Sequence, residues 1–256
     1  MESVVVLPSD GLEAATQIID SAESKGVRLR LLGGLAFKKL CPSANDPRYF
    51  RENKDIDIMG RRQDTRAIGT VMETLGYKPR EVFNKLNMGQ RLIFYDIENR
   101  RRVDVFLDEF IMCYKFNFKE SILTGTYTLP ITQLVMTKLQ VVEKSEKEYS
   151  DLACAFLDHE VTNSGAGIRG DEIADLCSKD WGVYTTFRKS LESLLVTARV
   201  ASPEDTDRIG ERVRRLLSMM ESKPKTLAWR LRARIGEKAR WYDLPEKDSD
   251  QMISSS

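Results

Sequence analysis

Asp55 and Asp57 stand two residues apart in Lys54-Asp55-Ile56-Asp57-Ile58-Met59. The alternation of acid and apolar residue has the period of a half-buried strand. On a strand, side chains i and i+2 share a face. The pattern therefore predicts both carboxylates on one face and Ile56 and Ile58 anchoring the other. Like charges held side by side repel and raise each other's pKa, a cost that a divalent cation removes. Mg²⁺ takes one or two carboxylates and completes its shell with water and substrate phosphates. It is the ion this pair suits, with Mn²⁺ as its substitute.

The residues on either side extend that chemistry. Upstream, Val27-Arg28-Leu29-Arg30-Leu31-Leu32 alternates like a strand, and Gly33-Gly34 turns it into a helix beginning at Leu35. Glycine permits a positive φ and close backbone approach, and amides at a helix start can bind phosphate oxygens. No Gly-Lys-Ser/Thr follows, and no third glycine stands at the dinucleotide-binding offset, so neither a Walker A loop nor a Rossmann fingerprint is present. Downstream, residues 90–96 and 101–108 read as a hairpin around Ile97-Glu98-Asn99-Arg100. Asp104 faces away from Val103 and Val105. If its strand pairs beside that of Asp57, it joins the same cluster as a metal ligand or a base.

The order strand, Gly-Gly, helix, Asp-x-Asp strand, helix, strand with one Asp resembles the polymerase β-type nucleotidyltransferase superfamily. Gly33, Gly34, Asp55, Asp57 and Asp104 match its signature over residues 27–110. The twenty residues between Gly34 and Asp55 are a longer spacing than the family commonly has. The surplus, Cys41 to Phe50, is rich in turn formers and reads as a loop near the site mouth. A second block resembles the abortive-infection (toxin–antitoxin type) branch. Lys138, on a helix from Pro130, matches that branch's lysine, and Asp151 matches its last aspartate. Glu148 stands where the branch usually has Asp.

The resemblance implies an α+β fold: a mixed sheet flanked by helices, followed by a C-terminal helical domain. The pattern along the chain, mostly helical from Pro130 and with few anchors at its end, adds a division into a catalytic domain over 1–129, a helical domain over 130–243 and a disordered tail over 244–256. The implied reaction moves a nucleoside monophosphate from an NTP to an acceptor hydroxyl and releases pyrophosphate. In it Gly33 and Gly34 seat the nucleotide, and Asp55, Asp57 and Asp104 hold Mg²⁺ or Mn²⁺. Lys138 steadies the phosphates, with Asp151 beside it and Arg66 or Lys54 as candidate helpers. The toxin-like branch favours an RNA, tRNA or protein acceptor and implies an antitoxin partner. Two other readings stay open: a non-catalytic nucleotide- or RNA-binding regulator, and an aminoglycoside-type transferase acting on a small molecule.

Composition excludes several other classes. With four scattered cysteines, no Cys-x-x-Cys and His159 as the single histidine, zinc sites and histidine triads are not expected. Reduced thiols point to the cytoplasm. No apolar run is of membrane-spanning length, and the N-terminus lacks a basic stretch ahead of an apolar one. Total charge is +1, but Arg208–Arg240 holds eleven Lys and Arg against three Glu, a local +8 against −7 elsewhere. Together with Trp229, Trp241 and Tyr242 this segment predicts RNA contact through Arg230, Arg232 and Arg234. Helices are expected near 9–25, 63–76, 130–144, 148–159, 170–178, 182–199, 203–221 and 225–240, and extended or hairpin structure at 115–129 around Thr124-Gly125-Thr126.

Overall fold

The computed structural model describes residues 7–49, 52–197 and 202–244. The first half runs through α1 (Gly11–Ser24), β1 (Arg30–Leu32), α2 (Gly33–Leu40), a 3-10 turn (Pro42–Asn45), β2 (Ile56–Gly60), α3 (Thr65–Thr74), β3 (Lys78–Pro79), α4 (Glu81–Leu86), β4 (Arg91–Asp96) and β5 (Arg101–Leu107). A small hairpin, β6 (Glu109–Ile111) and β7 (Lys115–Asn117), and α5 (Ser121–Thr124) follow. The rest is helical: α6 (Ile131–Leu139), α7 (Glu146–Asp158), the short strands β8 (Val161–Thr162) and β9 (Ile168–Arg169), α8 (Gly170–Lys179), α9 (Trp181–Thr197), α10 (Pro203–Ser222) and α11 (Leu227–Ile235).

The main sheet has the order β1-β2-β5-β4-β3. β2 and β5 are parallel, and the other neighbours are antiparallel. The fold is thus the expected α+β type, a mixed sheet flanked by helices. Period-two alternation sorts the two faces. Ile56 and Ile58 of β2 and Val103, Val105 and Leu107 of β5 are buried together on one face. Gly60 belongs to that face, and any side chain there would collide with Ile68 of α3 and with Leu29, so α3 packs directly on the sheet. The opposite face carries Asp57, Arg102, Asp104 and Phe106.

Local chemistry explains the helix ends. Asp10 caps α1 by accepting from the amides of Leu12 and Glu13, and Gly26 leaves it with φ +74°. Ser145 and Glu148 form a capping box on α7. Ser202 caps α10, with Pro203 in its first turn. In α6 every residue except Lys138 is buried. One continuous buried apolar cluster joins the sheet to the helical half.

Three expectations need correction. β2 begins at Ile56, so Asp55 lies on a bend outside the strand and is exposed. The described part of the surplus after Gly34, Cys41 to Tyr49, is not a free loop. Its turn is fastened to α7, where Asp158 Oδ2 accepts from the Ser43 amide at 2.9 Å and from Ser43 Oγ at 2.6 Å. Further along, Ser150 Oγ donates to the Tyr49 carbonyl and Tyr49 Oη reaches Asp205 of α10. Asp46 and Arg48 bond each other within the run, Ser43 and Tyr49 find their partners on helices, and the segment packs instead of looping out. Finally, the hairpin after β5 turns at Met112–Tyr114, not near Gly125, because Cys113 is buried and Tyr114 bonds Gln140 and Thr186. Extended structure within 115–129 is confined to β7 and to the stretch at Thr128, which bridges to Leu31 at the edge of β1. The expected tail, beyond Leu244, and the end of the helix expected to 199 lie outside the described residues.

Candidate active site

Asp57 and Asp104 are register partners across the parallel pair β2–β5. Side chains paired in that way project from the same face. Leu32, the residue before the glycine turn, pairs with Asp57 on its other side. Gly33 has φ +67°, and a Cβ there would lie 2.1 Å from Asp57 Oδ2. Only glycine allows this turn to carry the chain so close to the carboxylate. The backbone start of α2, at Gly33 and Gly34, therefore lies beside the acid pair.

A cavity of about 670 Å³ opens over this face. Its lining mixes charged residues, among them Asp57, Arg91, Arg102, Lys138 and Glu148, with the apolar Phe83, Phe106, Phe110, Ile111 and Met112. Phe106 and Phe110 meet edge-on at 4.9 Å. Such a lining suits a ligand that carries both charged and flat apolar parts.

Electrostatics single out Asp57. Burial first, and then the neighbouring Asp104, push its carboxyl up to about 7; Lys138 pulls the other way and Asp55 adds to the rise. Lys138 enters the cavity from α6, and only 13% of its side chain is exposed. Its Nζ lies 2.9 Å from Asp151 Oδ2 and 3.8 Å from Glu148 Oε1, both on α7. Asp151 is buried behind the lysine and does not line the cavity, so it positions Lys138. Burial works to raise Glu148, but its hydrogen bonds from Ser145 and the Lys138 charge outweigh that and hold it below the usual range.

The α6–α7 connection is fixed by Lys144. Its ammonium is directed at the carbonyls of Leu139 and Val141 and at Ser190 Oγ. Burial brings its pKa down to about 8. Bonding to the Leu139 carbonyl closes α6 one residue beyond Lys138.

Among the described residues, no group of three or more His, Cys, Asp or Glu side chains is gathered closely enough to hold a metal ion. The expected convergence of three carboxylates reduces to two, Asp57 and Asp104, because Asp55 stands at the entrance to β2. Lys54 and Arg66 are outside the lining of the cavity. Two adjacent carboxylates, Asp104 buried and Asp57 half-buried with a raised pKa, still fit the donor set of Mg²⁺ when water and phosphate supply the remaining oxygens.

Two residues given no role by sequence reasoning hold Asp104. Arg91 Nε donates to Asp104 Oδ1 at 2.9 Å, with Nη2 at 2.7 Å, and Arg102 Nε lies 2.7 Å from Oδ2. The signal for Arg102 was available, since it precedes Asp104 by two residues and must share its face. That for Arg91 was not, because it depends on the β4–β5 register. The aromatic side chains expected to meet RNA are engaged within the protein. Trp229 packs edge-on against Tyr184, and Trp241 packs against Trp181 and donates to Thr186. Arg232 bonds the Gly236 and Ala239 carbonyls, whereas Arg234 is exposed on α11.

No protein-family model matches the chain, and no curated protein is found similar to it. Among solved structures it is similar to the solution structure of the antibiotic-resistance factor ANT(2'')-Ia, described as showing substrate-regulated conformation dynamics. The identity is 11% and the TM-score 0.37, over 82% of this chain and 94% of that one. A likeness at that score carries no argument about activity or substrate. None of these comparisons points to the abortive-infection branch. Among the described residues no helix is long and apolar enough to cross a membrane.

Proposed function

We propose that this chain is a divalent-metal-dependent nucleotidyltransferase that moves a nucleoside monophosphate from an NTP to an acceptor hydroxyl. The observation that carries the reading is the register pairing of Asp57 with Asp104 beside the left-handed turn at Gly33. Asp57, the glycine turn at Gly33 and Lys138 line one cavity, with Asp104 beside Asp57, and such groups are what a triphosphate and its counter-ions require.

In this reading the amides of Gly33 and Gly34 donate to phosphate oxygens, and Lys138, held by Asp151, neutralises charge that grows toward the leaving group. Asp57 and Asp104 would hold the cation, which when bound neutralises the triphosphate and lowers the pKa of the acceptor hydroxyl. The acceptor oxygen bonds to the α-phosphorus while the bond from that phosphorus to the bridging oxygen breaks, releasing pyrophosphate. A carboxylate of the pair takes the hydroxyl proton. Phe110, Ile111 and Met112 offer the base apolar surface in the same cavity.

The family resemblance favours an RNA, tRNA or protein acceptor, with an antitoxin as regulator in the toxin-like branch. A second reading, a cationic small-molecule acceptor, is supported by Glu109, Glu143 and Asp243 on the cavity wall. The test is incubation with Mg²⁺, each labelled NTP, and total tRNA, protein extract or aminoglycosides. Label transferred by the wild type and lost in Asp57→Ala and Asp104→Ala supports the proposal, and the labelled pool names the acceptor. Equal labelling by all three proteins rejects it. NTP binding without transfer to any pool moves the reading to a nucleotide-binding regulator.

A further inference from the structure

Asp104 is wholly buried, yet two guanidinium groups stand against it: Arg91 hydrogen-bonds Oδ1, and Arg102 Nε forms an ion pair with Oδ2 at 2.7 Å. One carboxylate needs one counter-charge, and here two arginines converge on it from different strands. Each guanidinium has five donors in a planar fork, and a single carboxylate cannot use them all. Both arginines line the cavity beside Gly33, Asp57 and Lys138, and both keep an exposed fraction, 22% for Arg91 and 16% for Arg102. Arg91 is also supported from below, with its guanidinium carbon 5.1 Å from the Phe106 ring centre and 6.0 Å from that of Phe83. Cation–π contact of this kind holds a guanidinium in the cavity whichever anion it bonds.

We infer that Arg91 and Arg102 are ligands of the β- and γ-phosphates, stowed on Asp104 until a divalent cation takes that carboxylate. The inference rests on the function proposed above and names the residues that recognise the triphosphate. Planar forks match phosphate as well as carboxylate. The two arginines therefore exchange one oxyanion for another without leaving the cavity, and no buried charge is stranded on the way. Without nucleotide they compete with the cation for Asp104. With nucleotide they move onto phosphate and the competition ends. Cation and nucleotide must then tighten each other's binding, reciprocally.

The experiment uses the full chain, Mn²⁺ counted by electron paramagnetic resonance, and ATP and GTP as probes. Wild type is expected to bind Mn²⁺ weakly alone and at least tenfold more tightly with nucleotide. The double variant R91Q/R102Q is expected to bind Mn²⁺ alone at least fivefold more tightly than wild type, and Mn²⁺–nucleotide at least tenfold more weakly. D104N is expected to show the opposite sign: weaker Mn²⁺ binding, but tighter nucleotide binding in the absence of metal, because its arginines are released. If the double variant does not fold, R91Q and R102Q singly give the same signs at smaller size. Mn²⁺ and nucleotide binding by wild type, with both affinities unchanged in the arginine variants or both weakened, overturns this inference and leaves the proposed function standing. No binding of either probe by wild type overturns both.

Discussion

Asp57 and Asp104 occupy the same level of two adjacent parallel strands, and the charge of Asp104 opposes ionisation of Asp57. Asp104 is balanced by arginine; Asp57 carries its burial, and then the repulsion of the pair, as a raised pKa.

That asymmetry has a measurable pH signature. Asp57 titrates near 7 in the native chain and near 3.8 when unfolded. Its contribution is therefore full below about pH 4 and is lost as pH rises through 7. One unit is worth about 1.4 kcal/mol, so the loss is on the order of 2–4 kcal/mol. Chemical denaturation in EDTA from pH 5 to 8 should show Asp57→Asn gaining stability over wild type with rising pH. Adding Mg²⁺ should cancel the difference. Parallel profiles for the two proteins would contradict it. Taking the difference also removes His159, whose burial lowers its pKa and gives a slope of the other sign.

Gly33 has no tolerance for a side chain. Gly33→Ala puts a methyl 2.1 Å from Asp57 Oδ2 in a left-handed conformation. The expected cost is about 1–3 kcal/mol, with at least a hundredfold loss of nucleotidyl transfer, read by denaturation midpoint and labelled-NTP assay.

Lys138 and Asp151 form a unit with two different jobs. Lys138→Met takes the ammonium away from the buried Asp151 and should destabilise by about 2–4 kcal/mol. Adding Asp151→Asn should restore most of the stability and none of the nucleotide affinity. Thermal melts and an NTP titration on the three variants separate the two effects.

The thiols are silent in the native state. All four cysteines are buried and none forms a disulfide, and burial pushes the Cys41 and Cys177 thiols up. Ellman's reagent at pH 8 should label fewer than one thiol per chain in an hour, and all four after denaturation.

Much of the scaffold was legible because its signals are local. α3, the hairpin of β4 and β5, and α7 to α10 follow from apolar period, Gly76, Ser202-Pro203 and the polar turn at 97–100. The parallel join of β2 to β5 follows only conditionally, since nothing in either strand states its partner. The hairpin at 109–117 was hidden because its turn, Met112-Cys113-Tyr114, is apolar and is stabilised by Gln140 and Thr186 from the helical half. Likewise, Asp55 reads as the equal of Asp57 in a period-two pattern, but the strand starts one residue too late to include it. Arg91 reaches Asp104 through register, which no single-strand pattern encodes.

The fastening of Ser43 to Asp158 bears on how the molecule assembles. The chain leaving α2 is tied to α7, more than a hundred residues later, before it returns as β2 to set Asp57 beside Gly33. A nascent chain that stops at residue 129 has every strand of the main sheet, but none of Ser150, Asp158 and Asp205 that fix the spacer. Contacts of such sequence separation form late and slowly. The acid pair is therefore expected to acquire its geometry only after α7 has been synthesised and docked. Up to that point a growing chain carries the motif without a working cavity.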